Sequence, residues 1–159
     1  VGSEMCIRDS VEIDSIMSQY TYWKEVTKIM KAKEANISKT LNGKQQQLQQ
    51  AAANFQQNVQ TNKYTQAQAQ QIQASIQKQA QDAEALQQRL GAEYQNEVAK
   101  YNKALADSVH NYLAQFNKDK KYAMILAKSG DNILYADKSL DITNEVVKGM
   151  NKAYKGMKK

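Results

Sequence analysis

The chain contains no proline, one cysteine, one histidine and six glycines among 159 residues. Without proline, nothing in the sequence forces a break in a long helix. The single cysteine, Cys6, lies within the first ten residues, VGSEMCIRDS. That segment does not continue into the pattern after it. It resembles a translated sequencing-adapter remnant and is set aside as non-native. The remainder of the chain has no thiol for disulfide or thiolate chemistry. No apolar run approaches the roughly 18 residues of a membrane-spanning helix, and no signal peptide is visible. The lone histidine, His110, falls mid-helix beside Val109 and reads as structural. No His or Cys pair has metal-ligand spacing. Asp82, Glu84, Glu93 and Glu97 sit among glutamines on a helix and read as a solvated face. Ser129-Gly130 is a turn, since one glycine is no phosphate loop. No catalytic residue, metal or cofactor is expected, and the chain does not read as an enzyme.

Charge is present but unevenly placed. The formal net charge is +6, and +7 without residues 1–10. Residues 11–44 carry +2, residues 45–117 are neutral, and residues 118–159 carry +5. The basic character is therefore at the C-terminal end. Lys118–Lys121 and Lys148–Lys159 lack interleaved arginine and any recognisable motif, so no nucleic-acid partner is expected. Contact of this end with a membrane surface would be peripheral.

Most of the rest is helical pattern. Counting heptads from Ile13 to Asn58 makes ten of fourteen seam positions apolar. A second stripe begins with Ile72, Ile76, Ala83, Leu86 and Leu90. It continues through Tyr94, Val98, Tyr101, Leu105, Val109, Tyr112 and Phe116. In an antiparallel pair the numbers of facing residues sum to a constant. Trp23 with Tyr101, Met30 with Tyr94, Leu41 with Ala83 and Leu48 with Ile76 all sum to 124, and Tyr20 with Leu105 to 125. The turn then falls at Thr61-Asn62-Lys63, inside a window of 61–64. Thr65-Gln66-Ala67-Gln68 matches a capping box opening the second helix. The expected seam includes Tyr20, Trp23, Met30, Leu41, Leu48, Ile76, Tyr94, Tyr101 and Leu105. From Ile16 to Phe55 it spans roughly 60 Å at about 1.5 Å per residue. Residues 45–90 hold 18 glutamines and 9 alanines, so the outer half buries little area. The inner half, dense in aromatics, is a firm root for a soft polar arm.

Beyond Phe116 the period changes. Tyr122–Ala127 and Ile133–Ala136 flank Ser129-Gly130-Asp131-Asn132 and read as strand, turn and strand. Both faces of each strand are apolar, which an isolated hairpin cannot sustain. Such strands need cover from a helix or pairing with other chains. Asp141 or Thr143 can cap a final helix presenting Val146, Val147, Met150, Tyr154 and Met157 on one side. The fold class expected is α+β, mostly α: a long antiparallel helical hairpin on a small β base with a C-terminal helix. The base covers 11–20 and 117–157, and the arm covers 21–116.

Tyr135–Lys148, YADKSLDITNEVVK, resembles the C-terminal signature of the Skp/OmpH family of periplasmic chaperones. Phe116–Tyr135 is similar to that family's helix end and following strands, and Val11–Tyr20 to its first strand running into its first helix. Most of that first strand is missing where the adapter-like segment sits. The resemblance implies a homotrimer whose strands form a shared barrel, with three helical arms around a cavity. It implies an ATP-independent holdase for unfolded outer-membrane proteins in the periplasm. In that setting Tyr122, Met124, Ile125, Leu126, Ile133, Leu134 and Tyr135 are the expected trimerisation base. Val26, Ile29, Val59 and Tyr64 are the candidate client contacts. A structural coiled-coil or adaptor protein of the cell envelope is the competing reading, and it predicts a seam of uniform strength. Prefoldin places its strands between its helices, whereas here they flank the helical pair.

Overall fold

The computed structural model describes residues 8–119 and 121–157. Strand β1 (Arg8–Glu12) leads into helix α1 (Ile13–Gln19), then α2 (Thr21–Gln60) and α3 (Gln66–Phe116). Strand β2 (Met124–Lys128), a 3-10 turn (Lys138–Leu140) and helix α4 (Thr143–Ala153) complete the elements among the described residues. It divides into two compact units. One takes in the described residues up to Ile29 and those from Lys100 onward, and the other is Met30–Ala99.

In the first unit, β1 and β2 form a parallel two-stranded sheet, with Ser10 opposite Leu126. On its other edge Ser10 also bridges Asp141, and its carbonyl accepts from the Ile142 amide at 3.1 Å. β1 is therefore held on both sides, and Val11 is buried. Two expectations change here. Arg8–Ser10, set aside with the first ten residues, belong to β1, and Asp9 and Ser10 are buried. Residues 1–7, with Cys6, lie outside the described residues. The second expected strand, Ile133–Ala136, is not a strand. The Asn132 side chain accepts from the Ser129 amide at 2.9 Å and donates to the Ala127 carbonyl at 2.8 Å. These local bonds take groups that a hairpin ladder would need, so the chain leaves the sheet after the turn.

α4 lies over this sheet. Val146, Val147 and Met150 are buried with Val11, Ile16, Tyr20, Leu105, Tyr122 and Ile142. Trp23, Val109, Tyr112, Leu113 and Phe116 pack against that cluster. The base therefore reaches further along both long helices than boundaries at 20 and 117 imply. α4 stops at Ala153, so Tyr154 and Met157, expected on its apolar side, lie beyond its end. Its start is secured from one residue before the cap: Asp141 accepts from the Thr143 amide at 2.9 Å and from the Thr143 hydroxyl. The Thr143 hydroxyl oxygen accepts in turn from the Glu12 amide at 2.8 Å, tying α4 to β1.

The absence of proline does not give an unbroken first helix. Tyr20 is extended, with φ −73° and ψ 122°, and separates α1 from α2. Asn151 of α4 serves both sides of this break.

The second unit is an antiparallel helical hairpin. Asn62 adopts φ 52°. The Lys63 amide donates to the Asn58 carbonyl and the Asn62 amide to that of Val59. This is a Schellman termination with asparagine at its left-handed position. Thr65 and Gln68 exchange amide-to-side-chain bonds at 3.0 and 3.2 Å, the reciprocal pair of a capping box. Tyr64 stacks on Phe55 with centroids 6.3 Å apart and accepts from Asn58. Met30 is buried, while Ile37, Leu41, Leu48, Phe55, Ile76 and Leu86 stay half-buried.

Candidate functional site

Two surfaces carry unsatisfied apolar area, one in each unit. In the base, Met124 is 51% exposed, Leu126 37%, Leu134 93% and Tyr135 85%. Ile133 is half-buried. Exposing large apolar side chains of β2 and the segment after its turn is costly unless another surface covers them. Two of the seven residues expected to form a subunit interface are occupied within the chain. Tyr122 is buried and stacks on Phe116 at 6.1 Å, nearly parallel. The Asn117 amide brackets it, accepting from its backbone N–H at 2.9 Å and donating to its carbonyl at 2.8 Å. Ile125 is half-buried and packs against the core from the inner face of β2. Strand alternation separates these two roles: Ile125 points in while Met124 and Leu126 point out.

In the arm, open grooves are lined by residues of both helices. One of about 460 Å³ has Leu48, Ala83 and Leu86 among its lining, with Lys44, Asp82 and Arg89 beside them. Another of about 490 Å³ lies towards the turn, where Phe55, Val59 and Ile76 meet Gln56, Gln60 and Gln73. The two grooves differ in charge: the lining of the second has no ionised side chain.

Of the candidate client contacts, Ile29 and Val59 are 40% and 43% exposed. Tyr64 is half-buried, held by Phe55 and Asn58. Val26 is 2% exposed and cannot meet a client while the chain is folded. The strict seven-residue count put Thr27 and Glu34 in the seam, but both are exposed, and Val26 and Lys33 turn inward instead. Both inward residues lie one position before the counted ones, while Met30, Ile37 and Leu41 keep their seven-residue places. Of the expected seam, Tyr20, Met30 and Leu105 are buried, and Trp23, Leu41, Leu48, Ile76, Tyr94 and Tyr101 are half-buried. Lys33 forms an ion pair with Glu97, at side-chain exposures of 26% and 38%. Glu97 is therefore engaged rather than part of a free solvated face.

Tyrosine chemistry is concentrated in the base. Tyr20, Tyr22 and Tyr154 form a mutual cluster with centroids 5.7 to 5.9 Å apart. Tyr154 donates to Glu25 at 2.7 Å. Burial, then this carboxylate, push the Tyr154 phenol far above its ordinary range. Burial also raises Tyr20 and Tyr22. All three stay protonated at neutral pH and act by packing and hydrogen bonding. Among the described residues no three His, Cys, Asp or Glu side chains gather as a metal site. Among them, too, no helix is long and apolar enough to cross a membrane.

The polar residues that fix this geometry were hidden in the sequence. Asn117, Asn132 and Asn151 look alike as letters, and only the fold gives each its backbone partners. Asn117 and Asn132 did fall beside expected element ends, where asparagine is favoured. Asn151 carried no such signal.

The family model for outer membrane protein (OmpH-like) matches residues 10–150. No curated protein matches. A crystal structure described as that of an OmpH-like outer membrane chaperone from Caulobacter crescentus CB15 is similar in fold, with a TM-score of 0.85. Its sequence is 17% identical, over 99% of this chain and 91% of that one. With the family model covering most of its length, the chain belongs to the OmpH-like family.

Proposed function

We propose that this chain is a periplasmic chaperone that binds unfolded outer-membrane proteins without ATP and keeps them from aggregating. The observation that carries the reading is the arm. Towards the turn its seam residues Leu41, Leu48, Phe55, Ile76 and Leu86 stay half-buried, and its grooves are lined by apolar side chains together with glutamine amides. A client must be shielded along much apolar surface and then released. Many shallow contacts serve that better than one deep pocket, because each alone holds weakly. Glutamine amides donate and accept at once, so they can meet the free backbone groups of an unfolded chain in any register. Ile29, Val59 and, at the turn, Tyr64 are the proposed client contacts.

The base works as a hub. Met124, Leu126, Ile133, Leu134 and Tyr135 are the proposed surface for two further copies of the chain, giving a homotrimer. Three arms then surround a common space in which the client is held. The family membership and the OmpH-like chaperone of similar fold support the chaperone role; the uncovered side chains of the base support its pairing with further copies.

The test is light scattering by an unfolded outer-membrane β-barrel protein diluted from denaturant, with and without this chain and with no nucleotide present. Suppression of scattering near stoichiometric trimer is expected. Aggregation undiminished at excess trimer would overturn the proposal.

A further inference from the structure

The break between α1 and α2 has no cause in its own sequence. Ser18-Gln19-Tyr20-Thr21-Tyr22 holds neither glycine nor proline, and sharp helix breaks ordinarily trace to such residues or to an inserted group. A continuous helix would join the amides of Thr21, Tyr22 and Trp23 to the carbonyls of Met17, Ser18 and Gln19. Here the Thr21 amide donates to the Asn151 Oδ1 at 2.7 Å, and the Asn151 Nδ2 donates to the Gln19 carbonyl at 3.0 Å. One carboxamide from α4 thus supplies an acceptor to one side of the break and a donor to the other. The helix bonds on either flank are intact: Tyr20 amide to Ile16 carbonyl at 2.8 Å, and Lys24 amide to Tyr20 carbonyl at 3.1 Å.

We infer that the Gln19–Thr21 junction is a two-state element: α4 holds it broken through Asn151, and it closes into one continuous helix when α4 leaves. Two further contacts make α4 the arbiter. Just past its end, Tyr154 reaches across to Glu25 in the first turns of α2 and packs on Tyr20 and Tyr22. At its start, Thr143 holds the Glu12 amide where β1 passes into α1. α4 therefore grips the chain before α1 and after it, and α1 lies between two fixed points. With α4 docked, α1 is turned so that Ile16 is buried in the core. Closing the junction re-aims α1 and withdraws Ile16, which couples the docking of α4 to the placement of β1.

The backbone at the break also names the control. Tyr20 already has the extended geometry favoured before a proline, and Thr21 is the first residue of α2, where proline is accepted. Thr21→Pro should lock the broken state with no help from Asn151. The measurement is the backbone carbon chemical shift of Tyr20 in the full chain, which separates helical from extended ψ. The native chain and the exposed neighbour variant Lys152→Ala should give an extended shift. Asn151→Leu should give a helical one, and Asn151→Leu with Thr21→Pro an extended one again. An extended Tyr20 in Asn151→Leu alone would overturn the inference. If Asn151→Leu does not fold, the double variant must fold with Tyr20 extended, and its failure would overturn the inference equally.

Discussion

Asp141 and Thr143 show how much one hydroxyl can hold. The carboxylate accepts both the amide and the hydroxyl of Thr143, while that hydroxyl oxygen accepts from β1. These bonds hold the Asp141 carboxyl below its usual range. A group whose pKa falls on folding stabilises the fold above its ordinary value, and that contribution is lost as pH falls through the carboxylate range. Asp141→Asn should therefore narrow the gap between denaturation midpoints measured at about pH 7 and about pH 3. An unchanged gap would mean the bonds do not discriminate the ionised form. Tyr154 has the opposite sign. Its phenol is raised in the fold by burial and by Glu25, so its contribution is complete below the ordinary tyrosine value near 10. It is lost as pH rises beyond that, because the unfolded chain releases its proton first. Tyr154→Phe should flatten the alkaline fall of stability, read as the urea midpoint across that range. Packing sets a third test. A Cβ on Gly149 would run into the Tyr112 ring and hydroxyl, so Gly149→Ala should lower stability by about 1–3 kcal/mol. With Tyr112→Ala already present, the added loss should shrink, since the clashing ring is gone. Equal losses in both backgrounds would place the strain elsewhere.

At the scale of elements, the arm's turn is fixed by two local devices. The turn rests on Asn62 at positive φ and on the Thr65–Gln68 box. Thr65→Ala should cost about 1 kcal/mol, whereas Asn62→Gly should be neutral or favourable, because glycine enters the left-handed region freely. Amide exchange in the last turn of α2 and the first of α3 distinguishes the two: faster in the first variant, unchanged or slower in the second. Along the seam, Lys33 with Glu97 is a half-exposed pair. A double-mutant cycle on it should give a coupling below about 1 kcal/mol that fades with added salt. Both helices and their turn were legible because a 3.6-residue stripe, a left-handed asparagine and a capping box are local signals. The place of Lys33 in the seam was not, since a lysine reads as a surface residue and its partner Glu97 is 64 residues away. The strand at Ile133–Ala136 was misread because its composition favours a strand, but Asn132 ends the ladder first. The break at Tyr20 lay beyond any local reading, because its hydrogen-bond partner is 130 residues away.

For the whole molecule, the base is where legibility reached furthest and also stopped. Alternation in β2 showed that both faces are apolar, and the fold shows that α4 and the core cover only one of them. Leu134 and Tyr135, read as strand residues, stand almost fully exposed in a single chain. The number of copies that complete such a surface is set between chains, so the proposed hub rests on the uncovered side chains and on the family. The most direct test of that hub is the mass of the full chain in solution by multi-angle light scattering. A shared base predicts three times the chain mass of 18.0 kDa, shifting toward one chain when Leu134 and Tyr135 are both replaced by lysine. A native chain that stays at 18.0 kDa across the concentration range would contradict it.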